Sequence, residues 1–215
     1  MHPLDRGLLA LSTALPEVTA TSVADWPLGQ RNRALLELYA SAFGRGLQGW
    51  AECAKCGEKM EFELDTLQLA EPANSVGGDR VQWDGECYRL PTTRDLAEAS
   101  REKTEEAATS ALVRRCRDGG ADRALSAEEI LSLGEALAAA DPLAEVRVSL
   151  TCPVCESHAE ETIDPVSFLW SQLEARARRV FWEIHHLATA YGWNEREILS
   201  LSPARRAQYL AMVQA

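Results

Sequence analysis

Two short stretches decide how this chain is read: Trp50-Ala51-Glu52-Cys53-Ala54-Lys55-Cys56-Gly57 and Val148-Ser149-Leu150-Thr151-Cys152-Pro153-Val154-Cys155. Each is a Cys-x-x-Cys turn between strand-like runs. Lys59 to Leu64 leads out of the first and His158 to Ile163 out of the second. Two residues between cysteines let one tight turn aim both sulfurs at one point. Two such turns face to face offer four thiolates, the ligand set of a structural zinc site. Gly57 suits the left-handed backbone of a chain turning away from a metal. The second turn has Glu156 and Ser157 there instead and is expected to turn less tightly, although Pro153 presets one dihedral. Because the halves lie far apart in sequence, closing the site converts binding free energy into folding free energy, on the order of 10 kcal/mol.

The expected fold class is therefore α+β: a split four-cysteine zinc ribbon with a mostly helical insertion, followed by a long helix and two short C-terminal helices. The boundaries read as a loose arm over 1–25, a helix within 26–49, ribbon halves at 50–64 and 145–163, an insertion over 65–144, and a helical region over 164–215. Three other uses of the cysteines compete: a disulfide within each pair, a redox-active pair, or four ordinary buried thiols. A thioredoxin-like site wants one Cys-x-x-Cys opening a helix after a strand. Neither turn here precedes a helical pattern, so zinc at Cys53, Cys56, Cys152 and Cys155 is preferred.

Working outward, the arm is rich in Thr, Ala and Ser, with Pro3 and Pro16. Leu28, Leu35, Leu36, Leu38, Tyr39 and Phe43 follow a helical period, with Arg31 and Arg33 assigned to the other face. In the insertion, Pro72, Asn74, Gly77 and Gly78 mark a loop. Val81–Asp84 and Glu86–Leu90 predict a hairpin around Asp84-Gly85. Helical runs follow at about 94–102, 104–117 and 127–140, the last opened by a capping box at Ser126 and Glu129. Asp164-Pro165 starts the strongest helix. Val166, Leu169, Trp170, Leu173, Ala177, Val180, Phe181, Ile184, Ala188 and Tyr191 predict one apolar stripe along all of it. Asn194 with Glu197, and Ser202-Pro203, open two more helices.

The chain has 215 residues and a formal net charge of −11. That charge argues against general nucleic-acid binding and against adhesion to anionic membranes. No run approaches the ~20 apolar residues of a membrane span, and Leu8 to Leu11 is too short for a secretory core. Cys87 and Cys116 read as small buried apolar residues. Free thiols beside a zinc site point to a reducing, cytoplasmic setting. His158 reads as a ribbon-surface residue, and His185-His186 as one half-buried and one exposed ring. Arg176, Arg178, Arg179, Arg205 and Arg206 read as a solvated face. No Gly-x-Ser-x-Gly, Gly-Lys-Ser/Thr or His-Glu-x-x-His motif is present. A four-cysteine site leaves no coordination position for substrate, so no enzymatic activity is expected.

Pro27-Leu28-Gly29-Gln30-Arg31-Asn32-Arg33-Ala34-Leu35-Leu36, Ala42-Phe43-Gly44, the two cysteine turns, Tyr191 to Leu199 and Leu201 to Arg206 together resemble the T4-like phage baseplate hub assembly chaperone family of contractile tails and contractile injection systems. The likeness covers most of 26–213. It implies a non-enzymatic role in assembling a baseplate, by protein–protein contact with hub or spike proteins. On that reading the C-terminal helices present Tyr191, Trp193, Arg205 and Arg206 to a partner. A nucleic-acid-associated zinc ribbon is the alternative, weakened by Glu52, Glu58, Glu61 and Glu63 crowding Lys55 and Lys59. A thiol oxidoreductase is a second.

Overall fold

The computed structural model describes residues 2–71, 78–119 and 123–213. Pro72, Asn74 and Gly77 of the expected loop lie outside them. The chain divides into two compact units, Met1–Leu169 and Trp170–Ala215. The architecture is mixed helix and antiparallel sheet.

The first unit begins with α1 (Pro3–Ala14) and α2 (Ala20–Ala24). This corrects the expectation of a loose arm over 1–25. Thr19 accepts from the Ser22 N–H and caps α2, while Leu11 and Val23 are fully buried. The Ala- and Thr-rich composition hides a narrow apolar face at Gly7, Ala10 and Leu11. Gly7 lets α1 lie close to Val166: a Cβ there would stand 3.1 Å from Val166 Cγ2. Leu11, Val23, Leu35, Tyr39, Leu47, Val166 and Leu169 form the main core.

α3 (Leu28–Phe43) is joined to the insertion at its first turn. The Gly29 N–H donates to Asp141 Oδ2 at 2.8 Å, and a carboxylate is well placed at the positive end of a helix. Asn32 Nδ2 donates to the carbonyls of Leu143 and Ala144. Arg31 donates to Thr93 Oγ1 and to Asn32 Oδ1. Arg31 is therefore buried, not on a solvent face as its periodicity suggested. The Pro-Leu-Gly-Gln-Arg-Asn stretch is an internal latch.

β1 (Gly46–Glu52) and β2 (Lys59–Asp65) pair antiparallel, as do β5 (Val146–Thr151) and β6 (His158–Ile163). They remain two separate two-stranded sheets. A lone two-stranded hairpin is marginal in water. The apolar support at the cysteine ends is small: Ala51, Cys53, Met60 and Cys152, with Phe62, Leu150, Cys155 and Ala159 around them. A short α4 (Thr66–Ala70), capped by Asp65, follows β2.

In the insertion, β3 (Arg80–Trp83) pairs with β4 (Glu86–Arg89) around Asp84-Gly85. Helices α5 (Thr93–Ala99), α6 (Glu105–Cys116) and α7 (Ala127–Ala140) follow. Tyr88, Cys116 and Leu133 make its core. The carboxylate of Asp95 is 1% exposed and ties the parts together. It accepts from Arg89 on β4, Arg115 on α6, and the N–H and hydroxyl of Thr92.

α8 (Pro165–Tyr191) starts on Asp164, whose carboxylate accepts from the Val166 and Ser167 N–H groups. In the second unit its end packs with α9 (Glu195–Ser200) and α10 (Pro203–Val213) around Leu187, Ile198 and Leu210. Beneath that cluster Glu183 accepts from Arg206 Nε at 2.9 Å. The expected apolar stripe lies on one continuous helix, and every residue from 171 to 179 is exposed.

Candidate metal centre

The two cysteine turns are built alike. In the first, the Cys53 N–H donates to the Glu58 carbonyl at 2.8 Å and the Gly57 N–H to the Cys53 carbonyl at 2.8 Å. In the second, the Cys152 N–H donates to the Ser157 carbonyl at 2.9 Å and the Glu156 N–H to the Cys152 carbonyl at 3.0 Å. Gly57 has φ +75° and Glu156 has φ +56°. The second turn is thus as tight as the first, correcting the expectation. A non-glycine residue takes the left-handed conformation, at a cost of roughly 1–2 kcal/mol.

These turns bring the sulfurs of Cys53, Cys56, Cys152 and Cys155 within 4.8 Å of one another. The contacts cross between turns: Cys53 Sγ to Cys155 Sγ is 3.6 Å, and Cys56 Sγ to Cys152 Sγ is 3.6 Å. A tetrahedron of sulfurs at ~2.3 Å from a central ion has an edge of about 3.8 Å. The four thiols have the composition and spacing of a metal site closed by protein ligands. Cys53 and Cys152 are buried, Cys155 is half-buried and Cys56 faces solvent.

The Ser157 hydroxyl lies 3.2 Å from Cys53 Sγ and 3.1 Å from Cys155 Sγ. Its hydrogen bond, followed by those of backbone N–H groups, lowers the Cys53 pKa to about 6 and also lowers that of Cys155. Cys56 goes the other way, to about 12. The Glu58 N–H draws it toward the thiolate, but desolvation and the neighbouring sulfurs outweigh that pull. Four sulfurs this close cannot all ionise unless a cation shares the charge. Ser157 was missed as a contributor from sequence. Its only signal is its place two residues after Cys155.

The other candidates lie elsewhere. His158 Nδ1 meets Thr151 Oγ1 at 3.0 Å on the exposed surface of the β5–β6 hairpin. His185 is exposed and His186 half-buried against Trp182. Tyr191 stacks on Trp193 at 4.7 Å, with Tyr209 edge-on to both. Tyr191 and Arg205 reach solvent, and Trp193 is half-buried. Arg206 does not belong to that surface. It is 7% exposed and held by Glu183 and the Leu201 carbonyl. Proximity to Arg205 in sequence gave no sign of this, because consecutive helical residues point about 100° apart.

Neither cysteine turn opens a helix, so neither has the helix N-terminus that activates a redox Cys-x-x-Cys. No helix among the described residues is long and apolar enough to cross a membrane. Comparison with protein-family models, curated proteins and solved structures finds no match.

Proposed function

We propose that this chain is a zinc-stabilised, non-enzymatic assembly factor or baseplate component of a contractile phage tail-like injection system, acting by contact with hub or spike proteins. The observation that carries the reading is the four-sulfur cluster. It joins two hairpins that share no strand pairing. An all-thiolate tetrahedral set suits zinc best. Filled by four protein ligands, it has no position left for a substrate, so its contribution is to rigidity. Cys53, Cys56, Cys152 and Cys155 would hold the ion, with Ser157 donating to two of the sulfurs. The resemblance of the Pro27–Leu36 and Tyr191–Arg206 stretches to the baseplate hub chaperone family supplies the class of partner.

The test is affinity capture of the tagged chain from cells expressing its native gene neighbourhood. Recovery of a baseplate hub or spike protein is expected. Capture that recovers no such protein from cells making the complete machine would overturn the proposal.

A further inference from the structure

The close contacts among the four sulfurs follow one pattern. All four lie within 4.8 Å of one another. The contacts at 3.6 Å, Cys53 Sγ to Cys155 Sγ and Cys56 Sγ to Cys152 Sγ, both cross between the turns. Each is shorter than the roughly 3.8 Å edge that a tetrahedral ion would set. The two pairs share no atom, so both can close in one molecule. The Ser157 hydroxyl touches both members of the first pair, 3.2 Å from Cys53 Sγ and 3.1 Å from Cys155 Sγ. All five residues belong to the unit Met1–Leu169.

The backbone keeps this pattern. In each turn the first cysteine donates its N–H five positions on, to Glu58 or Ser157, and accepts from the N–H four positions on, of Gly57 or Glu156. The matched turns face each other, and the first cysteine of one meets the second of the other. A disulfide needs its sulfurs about 2.05 Å apart, so each crossed pair closes by an approach of about 1.5 Å. The β1–β2 and β5–β6 hairpins share no strand pairing. Their joint at this end consists of the four cysteines and the small apolar cluster around them.

We propose that the four cysteines are an oxidation site for hydroperoxides, at which Cys53 couples with Cys155 and Cys56 with Cys152, so that two disulfides take the place of the metal and keep the hairpins joined. The inference rests on the same cluster as the metal reading and adds what happens to it under oxidation. Cysteines that hold a metal do so as thiolates. One thiolate of a pair attacks a peroxide oxygen; the O–O bond breaks, hydroxide leaves and a sulfenic acid forms. The facing thiolate attacks that sulfur; the S–S bond forms and a second hydroxide leaves. Each disulfide thus takes two electrons from sulfur, and two protons from solvent turn the two hydroxides into water. With both pairs closed no thiolate remains to hold an ion. Pairing within each turn would also expel the ion, but it would leave the hairpins unlinked.

The test uses the full chain, hydrogen peroxide and mass mapping. After oxidation, free thiols are alkylated and the protein is cut with trypsin. Cleavage after Lys55 separates Cys53, on peptide 46–55, from Cys56, on peptide 56–59, while Cys152 and Cys155 stay on peptide 148–176. The expected product is a monomer on a non-reducing gel that yields all three peptides in one species. Fragmentation between Cys152 and Cys155 should place Cys53 on Cys155 and Cys56 on Cys152. Oxidation after unfolding in guanidinium and chelator should lose that preference. A chelator should lower the melting temperature of the reduced chain and leave that of the oxidised chain unchanged. Peptide 46–55 joined only to 56–59 overturns the proposal. So do the opposite crossed pairing, a bond to Cys87 or Cys116, a linked dimer, or sulfurs that peroxide leaves unpaired. Zinc present with pairing inside the turns sinks this proposal alone; the crossed map in a protein isolated without zinc sinks the metal reading alone.

Discussion

Gly29 stands where α3 meets the end of the insertion, and replacing it tests whether the Pro27–Leu36 stretch is an internal latch. A Cβ at Gly29 would fall 1.7 Å from Asp141 Oδ1. The carboxylate must swing away, losing its 2.8 Å bond from the Gly29 N–H. A hydrogen bond to a charged group contributes about 1.5–3 kcal/mol. Alanine in place of glycine within a helix returns roughly 0.8–1 kcal/mol. Gly29→Ala should thus cost about 0.5–2 kcal/mol, a melting shift of a few degrees for a chain of this size. The sign should change when the carboxylate is gone. In an Asp141→Ala background, Gly29→Ala should stabilise by up to about 1 kcal/mol. Urea titration of the four proteins measures the coupling between the two sites. Equal costs of Gly29→Ala in both backgrounds would refute the latch, and the motif would then need an external explanation.

Glu156→Gly should stabilise the chain by about 0.5–1 kcal/mol, since glycine relieves a left-handed φ at some cost in unfolded-state entropy; a melting curve reads it. Asp95 is held well below the usual carboxylate range: burial opposes ionisation, but the bonds from Arg89, Thr92 and Arg115 outweigh it. A carboxylate depressed in the folded state contributes stability above its unfolded pKa and loses it as pH falls below about 4. Wild-type urea midpoints should therefore fall from pH 5 toward pH 3 more steeply than those of Asp95→Asn. Arg206→Met leaves Glu183 buried without its main partner, and should cost about 2–4 kcal/mol. Adding Glu183→Gln should recover most of that in the same unfolding assay.

The parts of the fold that sequence conveyed were those with local signatures. The cysteine turns, the Asp84-Gly85 hairpin and the capping box at Ser126 and Glu129 each state their geometry within a few residues. What escaped was set by partners distant in sequence. The apolar face of α1 is narrow, and its Gly7 matters only because Val166 packs against it. Arg31 looks like a surface arginine until Thr93 and Asn32 enclose it. Arg206 needs Glu183, which sits twenty-three positions earlier, to become internal. The four cysteines that cluster were readable from spacing alone. Ser157 was not, because its role depends on Cys53 arriving from the other hairpin. The stripe on α8 was legible as a pattern, but a pattern does not tell buried positions from exposed ones.

Elemental analysis of the purified, folded chain tests most directly whether the four cysteines hold zinc. One zinc per chain is expected, falling to none in a Cys53→Ser, Cys152→Ser double variant. A folded wild-type protein with no bound zinc, or with iron in its place, would contradict it.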